Sequence, residues 1–261
     1  MDSSDKREAL QAFRIASLPP EFYYIPNFIT PEEEASILDK IPAARWTHLS
    51  HRRLQAHPST LTKTNTLLGA PLPSYLLAPI VERFKKLGIF DGTPHRGPNH
   101  VLINEYKRGE GIMPHEDGGA YAPVVATVSI GASICLDVSR KPTPSDDTTS
   151  LGASGAEEGA EEEEKGEEEY VLPTRIFQEP RSLLITTGPA YRDLLHGIAL
   201  IEVDENLTPE TVANWSLLGD RSLVEENGGR NERGTRVSLT YRDVLKVSSA
   251  ASKVLGGLGK R

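Results

Sequence analysis

Arg233-Gly234-Thr235-Arg236-Val237-Ser238-Leu239-Thr240-Tyr241-Arg242 alternates polar and apolar side chains, and the reading of that alternation decides the fold. Successive side chains of an extended chain point to opposite faces. Arg236, Ser238, Thr240 and Arg242 therefore share one face, and Val237, Leu239 and Tyr241 share the other. If the polar face meets water, this is an ordinary amphipathic strand. If it lines the inside of a barrel, the two guanidiniums need an anion, and their bidentate pairing with carboxylates makes a dicarboxylate the natural ligand. Upstream, residues 100–106, 124–130, 133–138, 170–177, 182–187 and 198–203 also read as strands. Short strands at this density, broken by Gly and Pro, point to an antiparallel sandwich or barrel.

The chain before residue 99 carries helix signals instead. Thr30-Pro31-Glu32-Glu33 supplies an N-cap, a proline at the first helical position and a capping-box glutamate, and Ile37, Leu38 and Ile41 follow at helical spacing. A second helix reads from Ser74, with Leu76, Leu77, Ile80, Val81, Phe84 and Leu87 on one face and Gly88 as its stop. Pro79 falls inside it and should kink it or delay its start. The fold class is α+β: a β core over 99–246 with the helices of 13–98 packed on one face. Residues 1–12 and 247–261 read as loose ends.

The 261 residues suit one large domain or two small ones. With 38% hydrophobic and 25% charged residues the chain can bury a core, which excludes disorder throughout. No stretch reaches the roughly 18 apolar residues of a membrane helix, and Met1-Asp2-Ser3-Ser4-Asp5-Lys6 does not open a secretory signal. Cys135 is the only cysteine, which excludes an intrachain disulfide and fits a reducing compartment, nucleus or cytoplasm. The net charge of -8 is local. Residues 145–169 hold eleven acidic residues and one lysine; without them 37 acids fall to 26 and 29 bases to 28. The segment 141–169 therefore reads as an acidic, disordered insertion between strands, and the remainder is near neutral, which permits a polyanionic partner.

The sharpest chemical feature is Met113-Pro114-His115-Glu116-Asp117-Gly118. On an extended chain His115 and Asp117 share a face, so an imidazole and a carboxylate can hold adjacent corners of a metal. One further imidazole completes the two-histidine, one-carboxylate triad of non-haem iron(II) oxygenases. His196, in Leu194-Leu195-His196-Gly197-Ile198, is the candidate. The alternatives are a chance His-x-Asp triplet and a core histidine bonded to backbone. His48, His51 and His57 fall in a polar N-terminal loop, His95 in a turn and His100 at a strand start.

In this order, Asn104-x-Tyr106, His115-x-Asp117, His196 and Arg236-x-Ser238-x-Thr240-x-Arg242 resemble the AlkB-like iron(II)- and 2-oxoglutarate-dependent dioxygenases. The strings at 99–106 and 109–118 look closest to the sixth AlkB-homologue subgroup of eukaryotes, as do Phe22-Tyr23-Tyr24-Ile25-Pro26-Asn27-Phe28-Ile29 and Gly188-Pro189-Ala190-Tyr191. The resemblance runs over about 13–246 and implies a double-stranded β-helix, or jelly roll. It implies that His115, Asp117 and His196 ligate Fe(II) and that Arg236, with the Tyr106 hydroxyl, holds the distal carboxylate of 2-oxoglutarate. Asn104 and Arg242 would hold the keto-acid end, with Arg242 also bonding Asp117. Ser238 stands where many relatives have asparagine. The reaction implied consumes O2 and 2-oxoglutarate, yields succinate and carbon dioxide, and hydroxylates a C–H bond; on an N-methyl group the product collapses to formaldehyde and the amine.

AlkB relatives act on methylated bases of DNA or RNA or on methylated lysine, so the expected function is demethylation of alkylated nucleobases, with nucleic acid as partner. Trp46-Thr47-His48-Leu49-Ser50-His51-Arg52-Arg53 offers a stacking surface in Trp46 and phosphate contacts in Arg52 and Arg53, with Trp46 anchored on the core as the alternative. Arg83, Lys85, Lys86, Arg96, Lys107 and Arg108 could extend a backbone track. A nucleic-acid-binding protein with a vestigial site, and a protein hydroxylase or lysine demethylase, are the other readings. A monomer is the default.

Overall fold

The computed structural model describes residues 3–142 and 170–248. In chain order it forms α1 (Ser3–Gln11), β1 (Phe22–Ile25), α2 (Pro31–Lys40), β2 (Thr47–Leu49), β3 (Arg52–His57), β4 (Thr66–Leu68), α3 (Ser74–Leu77) and α4 (Ile80–Leu87). Then follow β5 (His100–Tyr106), β6 (Ile112–His115), β7 (Tyr121–Gly131), β8 (Ile134–Arg140), β9 (Thr174–Gln178) and β10 (Leu183–Thr187). The chain continues with α5 (Gly188–Asp193), β11 (Leu194–Ile198), β12 (Val203–Asp204), α6 (Ser222–Glu225), β13 (Asn231–Glu232), β14 (Arg236–Val244) and β15 (Lys246–Ser248).

Among the described residues the larger sheet runs β1-β10-β7-β14-β5-β3-β2 and the smaller β6-β11-β8-β9, all neighbours antiparallel. The two sheets make the jelly roll, and the helices cover the outer face of the larger one. β14 lies between β7 and β5 and is buried along its whole length, so its polar face is not solvated. Val237, Leu239 and Tyr241 join the core beneath the helices with Ile37, Leu76, Ile80 and Phe84. Phe84 stacks on Phe28 and meets Tyr241 edge-on at 5.1 Å. A second core, with Phe22, Tyr24, Ile176 and Trp215, packs on the smaller sheet. β1 serves both, Tyr23 and Ile25 in the first and Phe22 and Tyr24 in the second.

The capping box forms as read: Glu33 N donates to Thr30 Oγ1 at 3.2 Å and Thr30 N to Glu33 Oε2 at 2.8 Å. Pro79 has a stronger effect than a kink. It caps α4, and the single helix expected from Ser74 becomes two, α3 and α4, because proline supplies no N–H to carry the ladder across. Gly88 ends α4 in the left-handed conformation, φ 69°.

Several boundaries differ from the sequence reading. Within the leader expected over 1–12, Ser3–Gln11 forms α1, which packs on α4, and Lys6 pairs with Asp91 at 2.9 Å. The strand expected at 198–203 lies at 194–198, since residues 199–202 form no ladder beyond Ile198. Of the tail expected from 247, Val247 and Ser248 belong to β15, which pairs in parallel with β4. The acidic segment 141–169 lies outside the described residues except for Lys141 and Pro142, as does the chain after 248. Among the described residues no helix is long and apolar enough to cross a membrane.

His57 is not in a polar loop. It sits on β3, fully buried, with Arg45 donating to Nδ1 at 3.1 Å and its Nε2 against Gln55 Oε1 at 3.2 Å. His100 is equally buried, its Nε2 3.2 Å from the Ser59 carbonyl oxygen. Burial first, then the charge of Arg45 or Arg242, lowers each imidazole from its ordinary 6.5 to about 4. The unfolded chain takes up these protons as the pH falls through 6.5, but the fold does so only near 4. Stability is therefore expected to drop as pH falls from 6.5 to 4. Thermal unfolding of the metal-free protein across that window checks this, with the His57→Gln, His100→Gln double variant showing a flatter slope. A wild-type Tm that stays constant there refutes it.

Candidate metal centre and cosubstrate pocket

His115 ends β6 and His196 sits mid-strand in β11, directly opposite it in the antiparallel register. Two glycines let these strands approach closely. A Cβ on Gly197 would lie 3.0 to 3.2 Å from Pro114 N and Cα and the Ile112 carbonyl oxygen, and one on Gly111 would collide with the Ile198 carbonyl. Asp117 follows two residues after His115. Ligand atoms of His115, Asp117 and His196 all lie within 4.8 Å of one another, with the two imidazole centroids 4.4 Å apart.

The surroundings set up each of these side chains. The Met113 carbonyl oxygen accepts a hydrogen bond from His115 Nδ1–H at 2.9 Å, which leaves the Nε2 lone pair for a metal. Burial lowers His196 from 6.5 to about 4, against an opposing pull from Asp117, so at neutral pH its imidazole is uncharged and free to ligate. Arg242 donates to Asp117 Oδ1, which leaves the second carboxylate oxygen available. The Tyr121 ring lies under the same guanidinium at 4.9 Å, and Tyr191 donates to the Gly118 carbonyl at 3.0 Å, fixing the turn after Asp117.

The triad opens on a cavity of about 290 Å³ between the sheets, lined also by Asn104, Tyr106, Arg236, Ser238, Thr240 and Arg242. The structure thus brings together the polar residues of β14 and β5 that the period-two pattern placed on one face; Ser238 pairs across to Asn104 on one side and Ser129 on the other. Arg236 is 3% exposed, and its partners are Ser129 Oγ at 2.8 Å and Gln178 Oε1 at 2.9 Å, both neutral. Among the described residues no carboxylate pairs with it. Burial lowers its pKa to about 10. A buried cation in this state is stabilised by an incoming carboxylate. The Tyr106 ring lies 5.9 Å from it, and burial raises the phenol pKa against the opposing charges of Arg236, Arg52 and Arg242. Asn104 Oδ1 and Arg242 Nε are buried without partners among the described residues.

Sequence reasoning missed Ser129, Gln178, Tyr121 and Tyr191. Ser129 has a legible signal, since it falls two residues after Thr127 on the inward phase of β7. Gln178 has none, because its position follows from how β9 faces β7 across the barrel. Of the basic track, Arg83 is committed to Glu33 at 2.8 Å and Arg108 to Glu202 at 2.9 Å. Trp46 packs on the helix-side core and under Arg53 at 4.4 Å, while Arg53 pairs with Glu105 at 2.6 Å. Neither lines the cavity; Arg52 does.

The family model of the 2OG-Fe(II) oxygenase superfamily matches residues 59–242. The chain belongs to that superfamily. It is 38% identical over 92% of its length, and 93% of the relative's, to the probable RNA/DNA demethylase ALKBH6 of Danio rerio. It is 27% identical to the uncharacterised protein L905 of Acanthamoeba polyphaga mimivirus, over 86% of this chain and 85% of that one. Against the tRNA (carboxymethyluridine(34)-5-O)-methyltransferase alkbh8 of Xenopus tropicalis it is 28% identical over 87% of its own length but 32% of the relative's. These relatives place it among the AlkB-like members. As a 2OG-Fe(II) oxygenase it is a dioxygenase that uses Fe(II), 2-oxoglutarate and O2. The donor set fits that iron, and the buried Arg236 and the Arg242 Nε–H, which has no partner among the described residues, fit a keto diacid as donors.

Proposed function

We propose that the protein is an oxidative demethylase of alkylated nucleobases in DNA or RNA, with His115, Asp117 and His196 holding iron. Arg236, helped by Tyr106, takes the distal carboxylate of 2-oxoglutarate; Asn104 and Arg242 take the keto-acid end, and Ser238 lies beside them. Bound Fe(II), 2-oxoglutarate and O2 together supply an oxidant able to hydroxylate an unactivated C–H bond, with succinate and carbon dioxide released. The chain's part is to position and to exclude water. The Met113 carbonyl and Arg242 fix the orientation of two ligands, and the two sheets close the cavity on both sides.

One observation carries the enzymatic part of this reading: two imidazoles and a carboxylate share a cavity with a buried arginine that has no carboxylate partner among the described residues. A vestigial site has no reason to keep both. The nucleobase is suggested by the similarity to the Danio rerio demethylase. The test is turnover with ferrous ion and a panel of N-methylated DNA and RNA oligonucleotides, read as formaldehyde and succinate. Substrate-dependent formation of both, lost on omitting iron, is the expected result. No stimulation by any alkylated oligonucleotide, beside stimulation by a methylated lysine peptide, replaces this reading with that of a protein demethylase.

A further inference from the structure

β3 pairs with β5 so that Arg53 faces Glu105 and Leu54 faces Asn104. By alternation Arg52 points to the Asn104 side, into the cavity, whereas Arg53 points to the opposite side. Among the described residues Arg52 makes no ion pair, and its buried Nε has no hydrogen-bond partner. It is close enough to Tyr106 for its charge to act on the phenol. The cavity therefore holds three guanidiniums, Arg52, Arg236 and Arg242, against two carboxylates, Asp117 and Glu116. Glu116 is already paired with Lys141 at the surface. Adding Fe(II) and the 2-oxoglutarate dianion changes the net charge by nothing, so the positive surplus persists in the loaded site. Arg242 is engaged with Asp117, and Arg236 sits on Ser129 and Gln178 deep in the barrel. Arg52, on the edge hairpin of β2 and β3, is the cation left over.

We infer that Arg52 is a specificity-determining residue that binds a backbone phosphate of the substrate strand, and so selects an anionic substrate over a methylated lysine, which the same surplus charge repels. This rests on the nucleobase reading above and adds which atom of the site reads the polymer. A guanidinium with a desolvated Nε gives a phosphodiester a charge-assisted contact without displacing any internal partner.

The experiment compares wild type, Arg52→Gln and Arg52→Lys, each loaded with Fe(II), on a methylated oligonucleotide at several salt concentrations. Arg52→Gln is expected to raise the KM for oligonucleotide about tenfold and to flatten the salt dependence by roughly one phosphate contact. The KM for 2-oxoglutarate is expected to stay the same, and Arg52→Lys to recover most of the affinity, which a general folding defect would not allow. If the KM for 2-oxoglutarate rises instead, Arg52 serves the cosubstrate and the inference is wrong. An unchanged oligonucleotide KM and salt slope in Arg52→Gln, beside a demethylating wild type, overturns the inference and leaves the nucleobase reading intact. A wild type inactive on every oligonucleotide overturns both.

Discussion

Replacing His196 with alanine should abolish iron retention and lower succinate formation by more than about 100-fold, since losing even a group that only hydrogen-bonds a metal ligand costs about 10- to 100-fold. The position allows no substitute. β11 places His196 directly opposite His115, and among the described residues no other histidine, cysteine or acid joins a group with these two and Asp117. The imidazole is half-buried and neutral, so its loss removes a ligand without leaving an uncompensated charge, and His196→Ala is expected to fold. Metal content by mass spectrometry, circular dichroism and turnover measured on one preparation decide the matter. A folded variant with wild-type iron content and turnover would show that His196 is a core residue and that the triad assignment is mistaken.

Arg236→Met is expected to separate function from stability. Loss of a charge-assisted carboxylate contact costs about 1.5 to 3 kcal/mol, so the KM for 2-oxoglutarate should rise roughly 10- to 100-fold. The metal-free, cosubstrate-free protein should become more heat-stable by a few degrees, because a buried cation without a counter-ion is replaced by an apolar side chain of similar length. Its neighbours tolerate the change: Ser129 Oγ already donates to Gln178 Oε1 at 3.1 Å, so neither is stranded. Wild type should gain thermal stability on adding 2-oxoglutarate, and the variant should gain little. A variant that loses stability without the cosubstrate, and keeps its 2-oxoglutarate KM, would make Arg236 a structural residue of the barrel.

The two-residue period of 236–242 settled which side chains of β14 share a face, because that alternation is a property of any extended chain. Thr30 and Glu33 settled the start of α2 for the same local reason, a side chain closing on its own backbone. Pairings over long sequence separations were not legible. Nothing in 52–57 says that Arg52 enters the cavity while Arg53 turns to Glu105; the register against β5 decides that. Trp46 is an aromatic residue next to basic ones in the sequence, but it belongs to the helix-side core. His57 looked like a loop residue because its polar neighbours, Gln55 among them, are hydrogen-bonded inside the fold instead of facing water.

By itself, then, the sequence determined the alternation of each strand, the helix caps and the residue types able to bind iron and a dicarboxylate. Only the tertiary structure decided that His115 and His196 meet and that, among the described residues, Arg236 has no carboxylate partner and Arg52 enters the cavity without an ion pair. Local patterns follow from dihedral angles and neighbours along the chain. Convergence of residues 81 positions apart depends on sheet register and on two glycines small enough to let β6 and β11 touch.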